Sequence, residues 1–212
     1  MACAGVSASL AYRAWQSLQE VERYARKRYR HWDQRWLHRR EQRLVAKLFA
    51  DHGLGGTILD APVGYGRFQA QLAQFGQVHA LDANTFALLY QRSTPGLAKS
   101  SAAGRAEGLP YRDDSFDVVF SLRLLQHIHE RDERIAILEE YKRVSRRWVL
   151  ASLYLDTALH RLHRRMVRQP SRITMLSRRD LEYEAATAGL ELVQVRAVLP
   201  FLHGQRLCLF TV

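Results

Sequence analysis

The stretch Ile58-Leu59-Asp60-Ala61-Pro62-Val63-Gly64-Tyr65-Gly66-Arg67-Phe68 decides the fold. A short apolar run ends in an acid, passes through a turn with a proline and two glycines, and opens a helical stretch. Gly64 and Gly66 permit a tight turn and let a ligand approach with no Cβ in the way. Twenty-two residues after Asp60, Val78-His79-Ala80-Leu81-Asp82 is a second apolar run ending in an acid. That is where a ribose-binding carboxylate belongs. A glycine turn alone says little. Turn, helix and acid at this spacing point to an adenosine-type ligand at the carboxyl ends of the strands.

Outward from this stretch, short β-like runs alternate with helical ones. Strands are expected at Thr57–Asp60, Val78–Asp82, Ala98–Gly104, Asp117–Leu122, Trp148–Leu153, Leu192–Leu199 and Arg206–Val212. Helices are expected at Arg67–Phe75, Phe86–Gln91, Arg134–Val144 and Arg179–Ala188. Such alternation means βαβ units and a parallel sheet. Only a few residues around His203–Gly204 join the last two strands, too few for a parallel crossover, so that pair should be antiparallel. The expected fold is α/β: a doubly wound, Rossmann-like, seven-stranded, mostly parallel sheet with an antiparallel last strand. Residues 1–52 form a basic, aromatic-rich helical extension or cap, and residues 53–212 the ligand-binding domain.

The ligand can be narrowed by charge. No Gly-Lys-Ser/Thr follows the turn, so a phosphate loop is absent. An acid at Asp60 inside the turn would repel pyrophosphate and suit a ligand carrying an ammonium group, which points to S-adenosylmethionine. Here the sequence resembles the class I S-adenosylmethionine-dependent methyltransferases, in particular the small-molecule branch related to ubiquinone and menaquinone methyltransferases. The resemblance runs from Thr57 to the C-terminus. Asp60 to Gly66 resembles the first motif, and Asp82 the ribose acid. Ala106-Glu107-Gly108-Leu109-Pro110 through Val119 resembles the segment joining the third and fourth strands. Ser121 to Ile128 resembles the stretch that passes the methyl group. The resemblance implies S-adenosylmethionine as cofactor. Asp60, Pro62, Gly64, Gly66 and Arg67 would lie at its methionine end, Asp82 and Ala83 at the ribose, Ala106 and Glu107 at the adenine edge, and Leu122 at the sulfonium. Two positions depart from the pattern. Pro62 stands where the family often has glycine, at the loss of one backbone donor. Arg105 stands where an acid usually accepts from the adenine amino group, and an arginine cannot accept.

Methyl transfer from a sulfonium is an in-line displacement in which the protein supplies orientation and a dry site, so no catalytic residue is obligatory. A hydroxyl acceptor benefits from a base, and His127, just past the fourth strand, is the best-placed candidate. The same histidine could instead cap or pack its loop. Arg123 either lines the acceptor mouth or sits on the surface. The Asn/Asp-Pro-Pro-Tyr/Phe loop of base-amine methylases is absent, and no cysteine lies near the fourth or fifth strand. Cys3 and Cys208 exclude a disulfide framework, and the nine histidines show no metal-ligand spacing. His160 and His163, three apart on a basic segment, read as surface.

Charge bears on the acceptor. The chain of 212 residues carries 32 Lys+Arg against 21 Asp+Glu, a formal +11, and only four of the basic residues are lysines. Arginine recognises phosphate and carboxylate bidentately. An arginine-rich proteome would give the same bias without function. Two segments concentrate it. Arg13–Lys47 interleaves arginines with Tyr12, Trp15, Tyr24, Tyr29, Trp32 and Trp36, contains no Pro or Gly, and reads as one helix. Tyr29, Trp32 and Trp36 share a face that Leu37, Leu44, Val45 and Leu48 continue. The simpler expectation is that this stripe packs on the domain; the functional alternative is a lid or a contact with an anionic surface. The second segment holds Arg161, Arg164, Arg165, Arg168, Arg172, Arg178 and Arg179. If both face one mouth, the acceptor is a small or lipid-linked, anionic molecule. RNA is the competing acceptor, and a binding module without turnover the competing class. No run approaches the ~20 apolar residues of a membrane span, and Met1–Leu10 lacks the basic start of a signal peptide. The expected location is cytoplasmic, with peripheral contact at the inner membrane surface as a variant. The sequence leaves the oligomeric state open.

Overall fold

The computed structural model describes residues 15–93, 98–156, 173–199 and 204–212. Two helices lead, α1 (Leu18–Lys27) and α2 (Trp32–His52). There follow β1 (Gly56–Asp60), α3 (Gln69–Leu72), β2 (Gly76–Asp82), α4 (Thr85–Arg92), β3 (Ser100–Ala103) and β4 (Phe116–Ser121). A single 3-10 turn, Leu125–His127, precedes α5 (Arg131–Val144) and β5 (Ser145–Tyr154). The chain closes with α6 (Arg178–Thr187), β6 (Glu191–Ala197) and β7 (Gln205–Thr211).

The seven strands form one sheet in the order β3-β2-β1-β4-β5-β7-β6. Only β7 runs antiparallel, against both β5 and β6. Ile58, Leu59, Val118, Val119, Val149 and Leu150 are wholly buried, as the continuous apolar runs of a sheet covered on both faces require. On one face α5 and α6 pack Ile137, Leu138, Tyr141 and Leu181; on the other, α2 and α3 pack Val45, Leu48, Phe49 and Leu72. Strand order reverses between β1 and β4, so the crevice outside their carboxyl ends is the natural ligand position.

Two expectations fail at the N-terminus. The helix is not continuous: α1 ends at Arg28, and α2 starts from an extended His31. No proline or glycine causes this break. Tyr29 is drawn inward instead, its hydroxyl 3.2 Å from that of Tyr65 and its ring stacked on His38 at 4.3 Å, so tertiary contact overrides helix propensity. Nor does the whole stripe pack: Tyr29 and the leucines do, the two tryptophans do not. Trp32 is 76% and Trp36 47% exposed, while the buried face of α2 is Glu41, Val45, Leu48 and Phe49. Each four-residue step overshoots a full turn, so from Trp32 to Leu48 the stripe drifts by roughly 160° around the helix. Arg67–Phe75 contains a single helical turn, Gln69–Leu72. His160, His163 and Arg161–Arg172 lie outside the described residues. No helix among the described residues is long and apolar enough to cross a membrane.

Candidate active site

Four carboxyl ends converge on the crevice. From β1, Asp60 is 3% exposed, with Asp82 of β2 close enough to act on it. Burial, and then the Asp82 charge, push the Asp60 carboxyl well above the usual carboxylate range. Asp60 has no ion-pair partner among the described residues. Gly64 and Gly66 have φ of 57° and 77°, left-handed values that L side chains rarely adopt. Their turn is pinned to β2: the Gly64 N–H donates to Asp82 Oδ2 at 2.8 Å and the Val63 N–H to the Leu81 carbonyl at 2.8 Å. Asp82 Oδ1 accepts from the Asn84 N–H at 2.8 Å. Burial raises the Asp82 carboxyl against the pull of these donors. Pro62 follows a cis peptide bond, and Ala83 is half-buried beside Asp82.

The third wall is the turn after β3. The Gly104 N–H donates to the Asp82 carbonyl at 3.1 Å, Ala106 is buried, and Arg105 pairs with Glu107 at 3.2 Å. The arginine that cannot accept thus holds the neighbouring carboxylate. The fourth wall follows β4. Leu122 is buried, and Arg123 has φ of 71°, strained for a non-glycine residue, with its N–H held by Ser152 Oγ at 2.8 Å. His127 is half-buried, and burial, then the charges of Arg123 and His129, lower its pKa, which favours a neutral imidazole.

Sequence reasoning missed the residues that hold these walls together. Fully buried Tyr141 of α5 donates to the Ala61 carbonyl at 3.0 Å and lies 2.8 Å from Ser121 Oγ. Arg134, paired with Glu184 of α6, donates to the Ile128 and His129 carbonyls at 3.0 and 2.9 Å. Both are long-range contacts with no local sequence mark.

The N-terminal helices cover the crevice. Asn84 Nδ2 donates to the Trp15 carbonyl at 2.8 Å, and the Trp15 ring lies 3.9 Å from where a Cβ on Gly64 would stand. Trp15, Tyr24 and Tyr65 stack edge to face at 5.4 and 5.7 Å. Arg67 turns from the loop toward α2, pairs with buried Glu41, and lies over Phe68 at 4.5 Å. Arg123, Arg28 and Arg67 are each near enough to act on the Tyr154 hydroxyl, and the first two also act on Arg67, so the three guanidiniums lie near one another. Only Arg67 has an acid partner there among the described residues.

Residues 59–148 match the family model described as a methyltransferase domain. Over those residues the chain is similar to that family. Its fold is shared with magnesium protoporphyrin IX methyltransferase from Synechocystis PCC 6803, solved with bound S-adenosylhomocysteine: 18% identity, 91% of this chain and 94% of that one, TM-score 0.71. A methyltransferase from Aquifex aeolicus aligns at 17% identity over 93% of this chain and all of that one, TM-score 0.65. One from Clostridium acetobutylicum aligns at 11% identity, 82% and 92% coverage and TM-score 0.67. No curated protein matches. A second structure of the Synechocystis protein holds S-adenosylmethionine itself. The crevice fits that cofactor: a buried carboxyl without a cation suits its ammonium, and a glycine turn leaves room for its backbone.

Proposed function

We propose that this methyltransferase moves the methyl group to an anionic acceptor, a small or lipid-linked molecule bearing carboxylate or phosphate. The observation that carries this reading is the Arg28–Arg67–Arg123 group, with a single acid partner, at the β4 end of the crevice under α1 and α2. Arg28 and Arg123, which have no acid partner among the described residues, suit bidentate recognition of an anion. S-adenosylmethionine supplies an electrophilic methyl group on a sulfonium. Asp60, Pro62, Gly64 and Gly66 hold its methionine end in this reading, Asp82 and Ala83 its ribose, and Ala106 and Glu107 the adenine edge. Leu122 flanks the sulfonium and keeps water from it. Arg67 also stands at the methionine end in this reading, its guanidinium held by Glu41 of α2.

His127 is the candidate base, because its lowered pKa leaves the ring neutral and able to take a proton from a hydroxyl near pH 7. A carboxylate acceptor would need no base. The small-molecule branch of the class remains the best home for such chemistry, with residues 1–52 as cap and 53–212 as catalytic domain, working in the cytoplasm. Incubating the chain with methyl-labelled donor and an extract of its own cells tests the proposal. Label is expected in an anionic small-molecule or lipid fraction. Label in RNA or in neutral metabolites would overturn it.

A further inference from the structure

The outer face of α2 is turned to solvent. Trp32, Trp36, Arg39, Arg43 and Lys47 follow at steps of four, three, four and four, so they form one stripe about 22 Å long. All five are exposed, as is the adjacent Arg35. Trp32 makes no ring contact among the described residues; the Trp36 ring lies under Arg40 at 6.0 Å. Lys47 pairs with Asp51 at 3.0 Å, whereas Arg35, Arg39 and Arg43 have no acid partner among the described residues. The opposite face of α2 is fixed in the core, so this helix presents the stripe without having to fold for it.

We propose that this face docks the protein on an anionic lipid bilayer. Two exposed tryptophans are costly in water and suit the headgroup layer, where an apolar ring with a polar N–H is at home. Unpaired arginines are drawn to anionic headgroups from within a Debye length. The stripe runs along the convex outside of one helix, a shape for a flat surface; single-stranded nucleic acid instead tracks a groove. Docking here goes beyond the reaction proposed above and does not depend on it. It also sets the turn that carries Arg28, immediately before Trp32, beside the membrane.

The test is co-sedimentation of the full chain with vesicles of phosphatidylcholine plus phosphatidylglycerol, against phosphatidylcholine alone. Binding is expected to the anionic vesicles only, falling as salt rises. Arg39→Gln/Arg43→Gln should cost roughly 30-fold in partition. Trp32→Ala/Trp36→Ala should weaken partition and abolish most of the fluorescence blue shift on binding, with S-adenosylmethionine affinity unchanged in both variants as the check of folding. Equal binding to neutral vesicles, no binding to anionic ones, or variants that bind like the unaltered chain would overturn the docking. Salt-sensitive binding to a single-stranded RNA oligonucleotide without binding to vesicles would overturn it too. A chain that docks yet labels no acceptor would refute the reaction and leave the docking standing.

Discussion

The Tyr141 hydroxyl donates to the Ala61 carbonyl at 3.0 Å, joining α5 to the turn that follows Asp60. Its other neighbour, Ser121 Oγ, closes β4 at 2.8 Å. One buried side chain therefore sets the separation between the cofactor turn and the loop bearing Arg123. Burial holds the phenol protonated and able to donate. Tyr141→Phe leaves the Ala61 carbonyl short of a partner and should cost about 1–2 kcal/mol of stability. Denaturant unfolding reads the loss, and calorimetry should show weaker S-adenosylmethionine binding.

Arg123 combines a strained backbone with a guanidinium that has no acid partner among the described residues. Arg123→Gly should relieve the left-handed strain and leave stability unchanged or raised by up to about 1 kcal/mol. The same change should raise KM for the anionic acceptor while leaving cofactor affinity in place. A variant both more stable and worse in acceptor KM would separate strain from charge. A parallel fall in stability and cofactor binding would refute the assignment.

His38 is stacked on Tyr29 and set edge to face against Phe68. Burial, helped by the Arg67 and Arg123 charges, lowers its pKa from 6.5 to about 4. The unfolded chain binds this proton below 6.5 and the folded one only near 4. Stability should thus be intact above pH 6.5 and fall as pH drops toward 4. Thermal melts across that window should flatten in His38→Gln.

Glu184 is the buried partner of Arg134, and that arginine holds the two carbonyls beside His127. Glu184→Ala leaves a buried guanidinium without its carboxylate and should destabilise by about 3–5 kcal/mol. Glu184→Gln, which keeps hydrogen-bond acceptance, should cost less. Melting temperatures of the two variants check the order.

Much of this site is legible in the sequence because its parts are local. Asp60, Gly64, Gly66 and Asp82 lie on one β-turn-helix-β unit whose apolar runs and glycines announce themselves, and the register β1–β2 brings the two acids together. The antiparallel last strand follows from a short connection alone. What is illegible is long-range. Tyr141 reaches Ala61 over 80 residues, and Arg134 reaches Glu184 over 50. Nothing local separates them from other helical tyrosines and arginines. The break between α1 and α2 has no breaker residue, because Tyr29 is pulled out by Tyr65 and His38. The outward turn of Trp32 and Trp36 is lost when a helical stripe is extended without its drift.

Asp60 and Asp82 are proposed to cradle the methyl donor, and calorimetric titration of S-adenosylmethionine at neutral and acidic pH reads that cradle. The buried carboxyls must ionise to receive the ammonium and ribose, so affinity should fall as pH drops. Asp60→Asn should bind at least about tenfold more weakly at neutral pH, consistent with losing a charge-assisted hydrogen bond, and respond less to pH. Binding by Asp60→Asn as tight as that of the unaltered chain, with the same pH dependence, would contradict the account.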